Sequence, residues 1–511
     1  MKRPPWTTIF TTLIILLAGI IALRLDPLNA NAQRLDTRVD GRVPDAGNDQ
    51  QHQQMIQAPS LPRLTTVRAI GLDTARRRLG NHFPRGRGIV AGHVEGGDTE
   101  YLADVTNLAF RAITFVPRTG PSTPFGHATA TSRVIYGSTG IAPGIRTVHA
   151  FSTLGWLTES YLRLNSDLPP LQDDPIRVFN HSWISESHQG VEQLLRRVDY
   201  QIDTRDVIMA VGVNNGADSP IPAALASAYN VIAVGAINGL SSRGRTEVDG
   251  IGRSKPDLVA PGGQTSFTTP AVTAIVACLL EAAGKLDNHA DIAQRSEVIK
   301  AALLAGATKP DGWTREPGRP LADRWGAGVA NIDNALKILM AGRMELDDLP
   351  VVNTEPTAFT GRIVRRYGWA FDTLTNGQTR SIELKANRIL GPISIMIVWN
   401  RKIHGEVIGP PFAPRDIWLP VPLLSDLDLR LIALPDVDTA PNASQTVFAS
   451  SSSRVDNVEH LYIEALPPGR YRLEITRHPY PLTRQPRDQD YALAWRIELP
   501  DQQAQAAAAE R

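Results

Sequence analysis

One cysteine, Cys278, is present in 511 residues, so no internal disulfide can form and stability has to come from a packed core. It lies in Val276-Ala277-Cys278-Leu279-Leu280, an apolar run that suits a buried structural thiol better than a reactive one. An excess of charge of either sign is missing too: Lys and Arg total 53 against 52 for Asp and Glu. No global field argues for nucleic acid or an acidic partner, and no nucleic-acid partner is expected. Acidic loops with regular Asp/Asn spacing are absent, so no calcium site is claimed, and no metal or cofactor is assigned.

What is present begins with a basic head, Met1-Lys2-Arg3, an apolar run from Trp6 to Leu23 and a small-x-small exit, Ala30-Asn31-Ala32. These are the parts of a secretory signal over 1–32, which would put the bulk of the chain outside the cytoplasm, secreted or periplasmic. An uncleaved anchor, with a membrane tether through residues 7–23, stays open as the alternative. Residues 33–61 are polar and aromatic-free and read as a flexible spacer with little room for a folded pro-domain. The remaining length suits two domains, 62–345 and 352–500, followed by a flexible tail at 501–511.

The chain is organised around Gly262-Gly263-Gln264-Thr265-Ser266-Phe267-Thr268-Thr269-Pro270 and the apolar run that follows to Ala283. A glycine-opened turn that delivers a serine to the first turn of a buried helix holds a nucleophile beside backbone N–H groups and the positive helix end. Ser266 is the candidate nucleophile. The same residues also suit a plain helix cap, so the neighbours decide. Around Gly88 to Asp98 the sequence reads as a short apolar strand ending in an acid followed by two glycines, and the carboxyl ends of such strands gather functional side chains. Glu95 is the candidate orienting acid and Asp98, past the strand end, the fallback. His93 is expected to face away from the core, without a partner. His127 opens a helix of small residues and is the candidate general base. Asp206 to Val213 is an unbroken apolar run that suits a parallel strand covered on both faces, and Asn214 at its end is placed to meet an oxyanion.

Together these residues resemble the subtilases, the subtilisin-like serine peptidases. Thr265-Ser266-Phe267-Thr268-Thr269-Pro270 is similar to the family's Thr-Ser-Met-Ala-x-Pro, Gly126-His127-Ala128-Thr129-Ala130 to its histidine motif, and Gly140-Ile141-Ala142-Pro143-Gly144 to its Gly-Val-Ala-Pro. Asn180-His181-Ser182 matches Asn-x-Ser, Val213-Asn214-Asn215-Gly216 matches Gly-Asn-x-Gly, and the acid, His, Ser order agrees. The resemblance implies an α/β fold with a mostly parallel sheet flanked by helices. It also implies an exported serine endopeptidase acting on a peptide or protein through an acyl-enzyme, with a Glu95, His127, Ser266 triad and Asn214 as oxyanion donor. Substrate-binding positions by the same token are Ser182, Trp183, Ile184 and Val213. Val213, Ile184 and Ser185 stand for pocket glycines, which implies a narrowed pocket; glutamate for the family's aspartate and Gln264 before Thr-Ser depart from the pattern too. A binding protein of the same shape without turnover is the rival reading.

After Ala335 to Met344, read as a closing helix, short alternating strands between turns point to an all-β sandwich over 352–500, similar to the jelly-roll domains that follow many secreted subtilases. Asp426, Asp428, Asp456, Asn457 and Glu459 offer ligand chemistry for a metal, but alternation places Asp426 and Asp428 on a solvated face, and that reading is preferred to a metal cluster. Trp369, Trp399 and Trp495 are expected in the sandwich core.

Overall fold

The computed structural model describes residues 68–346, 365–410, 415–435, 444–479 and 486–498; the signal, spacer and tail expected from the sequence lie outside them. Seven strands form one parallel sheet: β1 (Val90–Glu95), β2 (Thr114–Pro117), β3 (Thr147–Ser152), β4 (Ile176–His181), β5 (Ile208–Gly212), β6 (Ile232–Ala236) and β7 (Leu258–Ala260). Their order is β7-β6-β5-β4-β1-β3-β2, every pairing parallel. Ile208 to Gly212 and Ile232 to Ala236 are buried throughout, as expected of strands covered on both faces. The order turns at β1, which lies between β3 and β4. A parallel sheet opens a crevice at such a switch point, outside the strands' carboxyl ends.

The helices of this layer are α1 (Leu72–Leu79), α2 (Gly126–Ile135), α3 (Val191–Arg205), α4 (Thr265–Ala283), α5 (Ser296–Gly306) and α6 (Ile332–Met340). Helix α4 is apolar all round and almost wholly buried, which is how a helix reads when it lies inside a core. Cys278 sits on it, buried, its thiol pushed up by desolvation.

Two four-stranded antiparallel sheets follow. The first is ordered β8-β17-β10-β15, from β8 (Tyr367–Thr375), β10 (Ile393–Val398), β15 (Val458–Ile463) and β17 (Asp488–Ile497). The second is ordered β9-β16-β13-β14, from β9 (Thr379–Ala386), β13 (Leu427–Leu434), β14 (Thr446–Ser451) and β16 (Gly469–Arg477). A ribbon of β11 (Lys402–Ile408) and β12 (Ile417–Leu423) stands apart from both. The two sheets share one apolar core, so they form a sandwich. The period-two geometry of the first sheet gives it a second core on its outer face. Along β10, Ile393, Ile395 and Ile397 face the sandwich, while Met396 and Val398 join the core of the parallel-sheet layer. Along β17, Leu493, Trp495 and Ile497 face inward, and Ala492 and Ala494 admit α5 closely on the other side.

Two expectations are corrected here. Trp369 belongs to that outer core, its indole N–H donating to Leu339 O at 3.0 Å, whereas Trp399 and Trp495 do fill the sandwich. Asp428 is buried, not solvated, and Asp426 is half-buried; Asp456, Asn457 and Glu459 are buried as well. Asp428 is covered by Arg430 and His478 (2.6 and 2.9 Å), and Asp456 accepts the Ser254 N–H (2.7 Å) across the seam between the layers. Alternation mispredicts such positions because long side chains and a second layer cover the face that a lone sheet would wet.

Arg401 holds the seam. It pairs with Asp199 of α3 (2.6 Å) and with Asp249 (2.7 Å), all three at most 6% exposed, and its backbone exchanges hydrogen bonds with the Asn230 amide. Removing one member of a buried ion cluster strands the others, a loss of about 3–5 kcal/mol. Arg401→Ala is therefore expected to lower stability by that amount in urea unfolding, with both layers still melting in one transition. Two separate transitions in the native protein would contradict the shared core.

Candidate active site

Glu95 ends β1 and is 1% exposed, a costly place for a carboxylate unless every oxygen is met. Its Oε2 accepts from His127 Nδ1 at 2.8 Å. Its Oε1 accepts from His93 Nε2 at 3.1 Å and from the Thr131 hydroxyl at 2.9 Å. His93 Nδ1 meets the Tyr136 hydroxyl at 3.1 Å. The expectation that His93 faces away without a partner is thus corrected. Residues two apart on a strand share a face, so His93 stands beside Glu95, and β1 is covered on both sides. Asp98 is exposed beyond the strand end; the carboxylate that reaches His127 is Glu95.

His127 is the second residue of α2, half-buried, its ring between Phe125 and Phe267. Because Nδ1 faces an acceptor-only carboxylate, the ring proton sits there and Nε2 keeps its lone pair. Burial alone would push Glu95 up and His127 down. The attraction between them and their hydrogen bond win in both cases, holding the carboxyl well below the usual range and raising the imidazole.

Ser266 is the second residue of α4. Two other segments clamp its turn. Thr265 donates from its backbone N–H to Asn215 Oδ1 (2.8 Å) and from its hydroxyl to Val213 O (2.7 Å). Gly262 permits the fold-back, since a Cβ there would lie 2.7 Å from Thr268 Cγ2. Pro270 lacks the N–H that would bond the Ser266 carbonyl in a regular helix, and the Ser182 hydroxyl takes that carbonyl at 3.2 Å. Asn180 donates to Ser182 Oγ (3.0 Å) and accepts from Thr273 (3.1 Å), closing a buried chain from β4 to α4. The Asn-x-Ser spacing thus has a local reason, and Asn180 and Asn215 are site residues that the sequence reading passed over.

The Ser266 hydroxyl is directed at Ser182 O, 3.4 Å away, and among the described residues no hydrogen bond joins it to His127. Asn214 follows β5, and its amide donates to the exposed carboxylate of Glu186 at 2.8 Å. Trp183 and Ile184 are half-buried at the carboxyl end of β4, while Val213 lies fully inside and offers the site only its backbone. His181 beneath them is buried and held neutral, its imidazole pushed down to about 3 by desolvation and by neighbouring His93. The arrangement supplies an oriented imidazole, a serine at a helix start and an amide donor, the parts of acyl transfer.

The shared charge makes stability depend on pH at both ends. His127, raised on folding, contributes fully below its unfolded value of about 6.5 and loses that contribution as pH rises through the folded value. Glu95, depressed on folding, contributes above about 4.3 and loses its share as pH falls through its native value. By NMR titration, His127 is expected to lose its proton above pH 6.5 in the native chain and at lower pH in Glu95→Gln. An unchanged titration in that variant would refute the pairing.

Among known proteins, the profile of the Subtilase family matches residues 125–328. That span takes in His127, Asn214 and Ser266 and begins after Glu95. Similar solved structures include the patellamide maturation protease PatA, at 18% identity over 50% of this chain and 98% of that one, with a TM-score of 0.34. The self-cleaved protease domain of PatA shares 18% identity over 51% and 100% of the two chains (TM-score 0.36). A PatG macrocyclase in complex with peptide shares 16% over 51% and 94% (TM-score 0.34). No curated protein matches the chain. The profile and the parallel sheet that carries these residues at its carboxyl edge point the same way: residues 125–328 of the chain match the Subtilase family.

Proposed function

We propose that this protein is a serine endopeptidase working through a Glu95, His127, Ser266 triad. The observation that carries the reading is the 2.8 Å contact between the buried Glu95 carboxylate and His127 Nδ1, which leaves Nε2 as a base in the crevice. For attack, the Ser266 hydroxyl turns from the Ser182 carbonyl, a contact at 3.4 Å long enough to give way, towards His127 Nε2. Ser266 Oγ then bonds to the carbonyl carbon of a peptide as its proton passes to Nε2, and the imidazolium is stabilised by Glu95. The oxyanion is received by the Ser266 N–H, which has no acceptor among the described residues, and by Asn214 Nδ2 at the end of β5. Collapse returns the proton to the leaving amine and leaves an acyl-serine, which water hydrolyses by the reverse proton path. The N-terminal 32 residues support export, so we assign the activity to the extracytoplasmic side, on peptide or protein substrates.

A fluorophosphonate probe tests the nucleophile directly. Labelling is expected on Ser266 alone by peptide mapping and is expected to vanish in Ser266→Ala. The native protein should also cut a peptide blocked at both ends. Folded protein that neither labels nor cuts would overturn the reading and favour a recognition role without turnover.

A further inference from the structure

A carboxylate has no evident reason to stand beside a group that must receive a negative charge. Yet Glu186 Oε1 accepts from Asn214 Nδ2 at 2.8 Å. Glu186 lies in the segment that leaves β4, Asn214 follows β5, and the two strands are neighbours whose carboxyl ends frame the Ser266 turn. The carboxylate is exposed and joins no ion pair among the described residues; its partner is the neutral amide of Asn214. A negative charge thus faces the crevice unbalanced by the protein.

Its distance from the chemistry follows from the hydrogen bonds. An oxyanion donor works about 3 Å from the developing charge, so a carboxylate on the same amide lies within about 6 Å of the scissile carbonyl. That reach matches the side chain of the residue carrying the carbonyl. With a neutral or acidic side chain there, Glu186 and the oxyanion repel at that range and the transition state suffers. With a lysine or arginine there, the cation balances Glu186, and the amide meets the oxyanion without the opposing field.

We propose that Glu186 is a specificity-determining residue that selects a cationic side chain on the acyl side of the scissile bond. The inference deepens the peptidase reading and rests on Asn214 as the oxyanion donor. It takes the preference from an unpaired charge at the amide, and not from the width of the pocket.

The test uses the full chain and a peptide series that differs only at the residue before the cleaved bond: arginine, the uncharged norleucine, or glutamate. The native protein is expected to favour arginine over norleucine by about tenfold or more in kcat/KM, the factor that one charge interaction of moderate strength supplies. Glu186→Gln keeps a hydrogen-bond acceptor but removes the charge, and should bring the arginine and norleucine rates to within about twofold. Glu186→Ala should do the same and raise the norleucine rate above native, because the opposing charge has gone. Glu186→Lys should favour the glutamate peptide. Ser266 labelling by the fluorophosphonate probe runs alongside in every variant. Labelled, cleaving protein with no preference for arginine, or a preference that survives Glu186→Gln, overturns this inference and leaves the peptidase reading intact. Folded native protein without labelling or cleavage overturns both.

Discussion

Burying the Glu95 carboxylate is the constraint that the site depends on. A charge at the end of a central strand is tolerated only if both oxygens are met by donors that hold still, and three donors do so. The requirement runs outwards from there. Thr131 and His127 come from successive turns of α2, so the carboxylate fixes that helix over the end of β1. His93 comes from β1 itself and is braced by Tyr136 just past the end of the same helix. The imidazole edge offered to the crevice is therefore set by the sheet and not by a loop.

The serine is anchored independently. Its helix runs through the core, and its first turn is tied to two other segments by side-chain hydrogen bonds from Thr265 and Ser182. Proline at position 270 removes one helical bond, and the chain Thr273, Asn180, Ser182 supplies another from β4. The acid and the base on one side and the nucleophile on the other are thus fixed by different networks that meet across the switch point of the sheet. Helices α2 and α4 pack against one another, which brings the two networks together.

Much of this was legible from residue order alone, because strand ends and helix starts announce themselves through composition. The unbroken run Ile208 to Gly212, the glycines before Ser266 and the small residues after His127 each carried a local signal. What the sequence hid was pairing over long separations. Strand alternation alone divides core from solvent and so sends His93 outward, although β1 is covered on both faces. Trp369 and Asp428 were misplaced for a related reason, since a second layer or long side chains cover faces that would otherwise be wet. Arg401 and Glu186 have no neighbouring residue that predicts their partners; Asp199 is 202 positions from Arg401, and Asn214 is 28 from Glu186.

The order of strands in the first sheet of the sandwich bears on how such an enzyme comes into being. Strand β17, the last described in the chain, sits between β8 and β10 and not at an edge, and its alanines pack against α5 of the peptidase layer. A nascent chain that has already released Ser266 from the ribosome still lacks the strand that seals α5 from water. Until residue 497 emerges, the hydrophobic floor beneath the peptidase helices stays open and the layer stays short of its full stability. The helices beneath the candidate site are thus fully covered only once the whole sandwich is in hand.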